Sequence, residues 1–112
     1  MNRGEIWWAS LNAPRASEPG YCRPVVIASA DSFNDSRINT VIVCVITSNL
    51  HLAEAPGNFL IGKKNSGLSR DSVVNVSQII TLDKSFLTED VGRLTDKQLA
   101  GLDEGLKLVF SL

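Results

Sequence analysis

The chain is poor in the side chains that most often declare a chemistry. Among 112 residues there is one histidine, His51, and two cysteines, Cys22 and Cys44. A structural zinc site needs four ligands at finger-like spacing, so neither a metal nor any other cofactor is expected. Two cysteines do not make a disulfide framework. Cys44 lies inside a β-branched run and reads as a small core hydrophobe. Cys22 adjoins Arg23, which leaves a cysteine nucleophile paired with His51 as one alternative. Long apolar runs are also missing. The longest, Val41 to Ile46, has six residues, against the ~20 that a membrane-spanning helix needs. No apolar signal segment follows Met1-Asn2-Arg3-Gly4-Glu5, so a cytoplasmic protein without membrane attachment is expected. Repeats, low-complexity tracts and linkers are absent, and the length fits one domain over 1–112 with a single core.

A strong net charge is lacking too: the sum is −1. Its distribution says more than its total. Residues 1–70 carry seven Lys/Arg against five Asp/Glu, while residues 71–112 carry four against seven. The basic groups gather in the loops of the first part. Such a balance suits an enzyme that grips a few phosphates better than a nucleic-acid coat protein.

What the chain does have is β-branched residues. Arg23-Pro24-Val25-Val26-Ile27-Ala28 and Thr40-Val41-Ile42-Val43-Cys44-Val45-Ile46-Thr47 read as two buried strands. If they pair antiparallel, the guanidinium that opens one meets the hydroxyl that closes the other. A fixed cationic fork beside a hydroxyl suits a phosphodiester. The plainer reading is that Arg23 anchors a surface carboxylate and Thr47 satisfies a turn. Further strands are expected at Glu5–Leu11, Asn58–Ile61, Ser72–Val76 and Gln78–Leu82. Loops are expected at Asn12–Cys22, Leu50–Gly57 and Gly62–Arg70, with a short helix over Asp31–Ser36 capped by Asp31. The final helix has a capping box, Thr95 with Gln98, and an apolar face of Leu99, Leu102, Leu106, Val109 and Phe110. Gly101 and Gly105 lie four apart on it, a spacing whose close-packing role belongs to membrane helices; here it reads as local crowding or drift.

The ordered set Arg3-Gly4-Glu5-Ile6-Trp7, Ser17-Glu18, Gly20-Tyr21-Cys22-Arg23-Pro24-Val25, Val45-Ile46-Thr47-Ser48, Asp71-Ser72-Val73-Val74 and Gln78-Ile79-Ile80-Thr81-Leu82-Asp83 resembles the MazF/PemK family of toxin endoribonucleases. The likeness runs from Arg3 to the C-terminal helix. It implies a mainly β, SH3-like barrel with short helices and a C-terminal α-helix. It further implies a homodimer that cuts single-stranded RNA without a metal, held in check by a MazE-like antitoxin with a flexible acidic tail. It assigns catalysis to Arg23 and Thr47, both intact here. Base recognition would fall to Gln78, with Ser48, Asn34 and the first loop as further candidates. Arg15, Lys63 and Lys64 would supply basic contacts to the phosphates and to the antitoxin tail. In the branch of Kid and PemK, a loop histidine and an Arg-x-Asp pair serve the acid–base steps; this chain has Ser17, Asn75 and Ser77 there, so those roles do not carry over. Ala16 also replaces a glycine usual in the first loop.

Two alternatives share part of this pattern. A gyrase poison of the CcdB kind depends on a tryptophan near its C-terminus, whereas this chain ends Val109-Phe110-Ser111-Leu112. A non-catalytic SH3-like adaptor wants an aromatic groove, and seven aromatics in all are few for one. Trp7 and Trp8 are consecutive on a strand and so point to opposite faces. One can enter the core; the other is expected on an outer surface, covered by a dimer mate or an antitoxin tail.

Overall fold

The computed structural model describes residues 1–12, 21–64 and 66–112. Its strands, in chain order, are β1 (Glu5–Asn12), β2 (Tyr21–Ile27), β3 (Thr40–Thr47), β4 (Phe59–Ile61), β5 (Ser72–Asp83) and β6 (Leu87–Arg93). They form one curled antiparallel sheet, a half-barrel, in the order β4-β5-β3-β2-β1-β6. Two helices accompany it, α1 (Asp31–Asn34) and α2 (Asp96–Phe110), with 3₁₀ turns at Leu50–Glu54 and Lys84–Phe86.

The central strands are apolar on both sides because the sheet has a core on both faces. One layer gathers Ile6, Val26, Cys44, Ile46, Ile61, Leu68, Val74, Val76, Leu94 and Leu102. The other gathers Ala9, Val25, Ile27, Val41, Val43, Val45, Leu82 and Leu87. In β3, every residue from Val43 to Ile46 is buried, which removes the alternation a half-exposed strand would show. Each fully buried Val or Ile contributes about 1.5–3 kcal/mol relative to exposure.

Three local details differ from the expectation. First, the two strands expected either side of Ser77 are one strand with a bulge. Cys44 pairs with Ile79 and Val45 with Asn75, so Val76, Ser77 and Gln78 have no partners on β3. Asn58 holds the bulge in place, its Oδ1 accepting the Val76 N–H at 2.9 Å and its Nδ2 donating to the Leu52 carbonyl at 2.9 Å. Second, β6 was not expected. Leu-Thr-Glu-Asp-Val-Gly-Arg carries charge on an exposed sheet edge and has no apolar alternation to mark it. Third, Asp31 does not cap α1. Ala30 holds the N-cap, and the Asp31 carboxylate instead accepts the Arg3 backbone N–H at 2.6 Å.

Helix α2 begins as expected. Both arms of the capping box form, Gln98 N–H to Thr95 Oγ1 at 3.2 Å and Thr95 N–H to Gln98 Oε1 at 2.9 Å. Arg3 ties the helix to the chain start through Asp103, 2.7 Å away, while its Nε donates to the Ala28 carbonyl. The apolar face is shorter than predicted: Leu102 and Gly105 are buried, but Val109 and Phe110 are exposed. The helix packs on β4 and β5. Of the two readings of the glycine pair, local crowding holds at Gly105 and not at Gly101. A Cβ on Gly105 would stand 2.4 Å from the Gly57 carbonyl oxygen, so the helix touches that turn backbone to backbone.

Candidate active site

The β2–β3 ladder is short. It holds Val25 opposite Val45, Val26 opposite Cys44 and Ile27 opposite Val43, and there it ends. Pro24 has no N–H with which to extend it. Beyond that point the register sets Arg23 opposite Thr47, and the strands border an open cleft of about 580 Å³ instead of pairing. The cleft is lined by Trp8, Cys22, Arg23, Pro24, Ile46, Thr47, Ser48, Asn49, Leu68, Ser69, Arg70 and Ser72.

Its polar floor is positioned by local hydrogen bonds. Thr47 Oγ1 accepts the Asn49 backbone N–H at 3.1 Å, which fixes the hydroxyl and leaves its proton to donate elsewhere. Asn49 Oδ1 in turn accepts the His51 N–H at 3.2 Å and caps the following 3₁₀ turn. The Leu50–Gly57 segment, expected as a loop, therefore begins as an anchored 3₁₀ turn. The opposite wall comes from the β4–β5 loop. Ser72 Oγ donates to the Arg70 carbonyl at 3.0 Å, Asp71 Oδ1 accepts the Lys63 N–H at 2.9 Å, and Ser66 Oγ accepts the Leu68 N–H at 3.2 Å. Gly67, at φ +82°, presses this loop against the Val91 carbonyl of β6.

The charge is one-sided. Among the described residues lining the cleft, Arg23 and Arg70 are cationic and there is no carboxylate. Arg23 is half-buried and Arg70 exposed. Two guanidinium groups, a fixed hydroxyl and three further serines can together hold a polyanion in several directions.

The residues singled out from the sequence fall into four groups. Arg23, Thr47 and Ser48 come together in the cleft. Gln78 stands outside it, on the β5 bulge, where its Oε1 accepts from Asn75 Nδ2 at 3.5 Å. Lys63 and Lys64 are exposed in the β4–β5 loop but do not line the cleft. Arg15 lies outside the described residues. Asn34 is a correction: it is buried, its Nδ2 donates to the Ser29 carbonyl, and its Oδ1 accepts from Ser29 Oγ. Buried, with both ends of its amide engaged inside the protein, it is out of reach of a base. Arg70, Ser69, Asn49 and Trp8 were missed. The first two sit on a loop whose polar text gave no sign of its direction, and Trp8 could not be told from Trp7.

The tryptophans divide differently from the expectation, because neither is fully buried. Trp7 packs against the layer of Ala9 and Val25, and its indole N–H donates to Glu5 Oε1 at 3.0 Å. Trp8 takes the other face and borders the cleft. Cys22 is exposed in the cleft; Cys44 is buried, and burial pushes its thiol up to about 11. No helix among the described residues is long and apolar enough to cross a membrane.

Comparison with known proteins accounts for the whole chain. The family model for PemK-like, MazF-like toxins of type II toxin–antitoxin systems matches residues 2–110. Endoribonuclease MazF6 of Mycobacterium tuberculosis is 45% identical over 112 residues, spanning all of this chain and 98% of that protein. Endoribonuclease EndoA of Bacillus subtilis is 35% identical over 113 residues, spanning all of this chain and 96% of its own. Among solved structures, an endoribonuclease in complex with its cognate antitoxin from a mycobacterial species aligns with a TM-score of 0.81 at 20% identity, covering 100% of this chain and 96% of that one. The MazE–MazF structure from Deinococcus radiodurans gives 0.81 at 20% identity with the same coverage. The last two show the fold. With the family match over almost every residue, and with Arg23 and Thr47 lining one cationic cleft, this chain belongs to the PemK/MazF family of type II toxins.

Proposed function

We propose that the protein is a toxin endoribonuclease that cuts single-stranded RNA within the Arg23–Thr47 cleft. The family match and the two named endoribonucleases support the activity. The observation that carries the site is the convergence of Arg23, Thr47, Ser48 and Arg70 on one cleft that has no carboxylate among its described lining residues.

RNA contains its own nucleophile. In the reaction the 2′-oxygen bonds to the adjacent phosphorus and its proton leaves. The P–O5′ bond breaks, the 5′-oxygen gains a proton, and the products are a 2′,3′-cyclic phosphate and a 5′-hydroxyl. The protein must hold the 2′-oxygen in line and stabilise a crowded, negatively charged phosphorane. Arg23 is the group for the non-bridging oxygens, because a guanidinium is permanently charged and can bind two oxygens side by side. Thr47, its lone pair engaged by the Asn49 N–H, is poised to donate its proton to the same phosphate or to the leaving oxygen. Arg70 takes a neighbouring phosphate. Single-stranded RNA fits best, since an in-line 2′-hydroxyl is hard to reach within a stacked A-form helix.

In the cell this activity would stop translation by cutting mRNA in the cytoplasm. A cognate MazE-like antitoxin would counter it by laying an acidic tail over the same cationic cleft, and two copies of the chain would form the working toxin. The test is incubation of the purified protein with a long single-stranded transcript in EDTA, followed by end mapping. Discrete fragments with 5′-hydroxyl and 2′,3′-cyclic phosphate ends are expected. Cleavage that needs magnesium, or 5′-phosphate ends, would overturn the mechanism.

A further inference from the structure

The apolar side of the cleft has a use that neither catalysis nor folding explains. Trp8 and Pro24 are register partners on β1 and β2, so their rings stand side by side on the same face of the sheet. Both are half-buried, and both line the cleft. Ile46 and Leu68, both buried, line the same cleft. The two tryptophans are treated differently by the fold. The Trp7 indole N–H is satisfied by Glu5, whereas that of Trp8 has no hydrogen-bond partner among the described residues. A large flat ring is thus left facing a cationic cleft with its polar tip unused.

Resting on the reading of this cleft as an RNA site, we propose that Trp8, with Pro24 beside it, is the stacking platform for a nucleobase next to the scissile phosphate. A base displaced from its neighbours needs an apolar face to replace the stacking it has lost, and an indole is the best the chain has. Arg23 and Trp8 then divide the work. The guanidinium fixes the phosphate, and the indole fixes the sugar–base unit whose 2′-hydroxyl must lie in line. The platform tolerates any base, so Trp8 sets grip and orientation, and the polar groups Ser48, Asn49 and Ser69 are left to discriminate. A protein partner could also use an exposed indole. Among the described residues the cleft carries two arginines and no carboxylate, which favours the nucleotide, whose base and phosphate need a ring and a charge together.

The experiment uses a Trp7→Phe protein, so that Trp8 is the sole indole. The probe is an oligonucleotide spanning a cut site mapped on the long transcript, with a 2′-deoxy residue at the cut so that it binds without reacting. Its addition should quench Trp8 fluorescence in a saturable way. In parallel, Trp8→Ala should raise KM for the cleavable oligonucleotide about tenfold or more, and Trp8→Phe should restore most of it. Saturable binding of the probe with no change in Trp8 emission would overturn the proposal. So would a folded Trp8→Ala protein with unchanged kcat and KM, or quenching by an antitoxin tail peptide but not by the oligonucleotide. Failure of the unmodified protein to cut any transcript would instead sink the ribonuclease reading on which this rests.

Discussion

Replacing Gly105 with alanine tests how closely α2 is seated on the sheet. A Cβ there would lie 2.4 Å from the Gly57 carbonyl oxygen and 2.9 Å from Val76 Cγ1, roughly one ångström inside ordinary contact. The first of these atoms is backbone, in a turn whose Gly57 already holds φ +83°, so it has little room to yield. The helix must back away instead, loosening Leu102 and its neighbours. Overpacking against backbone falls at the upper end of the usual range, about 2–3 kcal/mol, and alanine returns about 1 kcal/mol of helix propensity. The net effect should be a loss of about 1–2 kcal/mol, or roughly 4–10 °C in Tm for a domain of this size. Gly101→Ala is the matched control. Its Cβ would meet the Phe59 ring at 3.6 Å, an ordinary contact, so only the propensity gain remains. Urea unfolding followed by circular dichroism, at one fixed protein concentration, reads both variants. They should shift in opposite directions. A Gly105→Ala protein as stable as the unmodified one, or a pair shifting together, would refute the packing argument.

Arg23→Lys keeps the charge but loses the two-pronged fork, and kcat should fall about 100-fold or more with the melting temperature nearly unchanged; near-normal cleavage by a folded variant would remove Arg23 from the mechanism. Gly67→Ala places a Cβ 1.7 Å from the Val91 carbonyl oxygen at φ +82°, so the loop bearing Leu68, Ser69 and Arg70 must shift; cleavage should drop further than stability, as measured by kcat/KM beside a melting curve. Burial raises the Cys44 thiol from 9.0 to about 11, so the folded protein keeps a proton that the unfolded chain has released. Stability should therefore be whole below about pH 9 and decline between about pH 9 and 11, by at most about 1.4 kcal/mol per unit. Urea titrations over that range should show the decline, and Cys44→Val should lose that share of it; an equal slope in both proteins would count against the assignment.

Much of the fold could be read from local text, and the reasons for the failures are physical. Thr95 and Gln98 announced the start of α2 because a capping box is complete within four consecutive residues. β2 and β3 announced themselves through β-branched runs. The break at Ser77 was real, but only the pairing with β3 shows that it is a bulge and not a gap between strands. β6 was silent because Leu87 is the one buried residue of its seven, too few to show an alternation. The site followed the same rule. Thr47 closes β3 and Arg23 stands two residues beyond the end of the β2–β3 ladder, so bringing them to one opening required only antiparallel pairing. Asn34 looked like an available amide because the sequence does not show that Ser29 consumes it. Arg70 and Trp8 became visible only when the β4–β5 loop and β1 were seen on opposite sides of one opening.

Pro24 places the protein under conflicting selection. The cleft exists because the β2–β3 ladder stops at Val25 and Val45. A residue able to donate at position 24 would favour two more rows of pairing and a more stable sheet. Those rows would draw Arg23 and Thr47 together and close the opening they share. A lineage selected for thermal robustness alone would drift toward that repair and become a well-folded, harmless protein. One selected for potency must keep the sheet unfinished at its most useful corner. Mutations that relieve a cell of the toxin can therefore be sought among those that strengthen the sheet as well as those that break it.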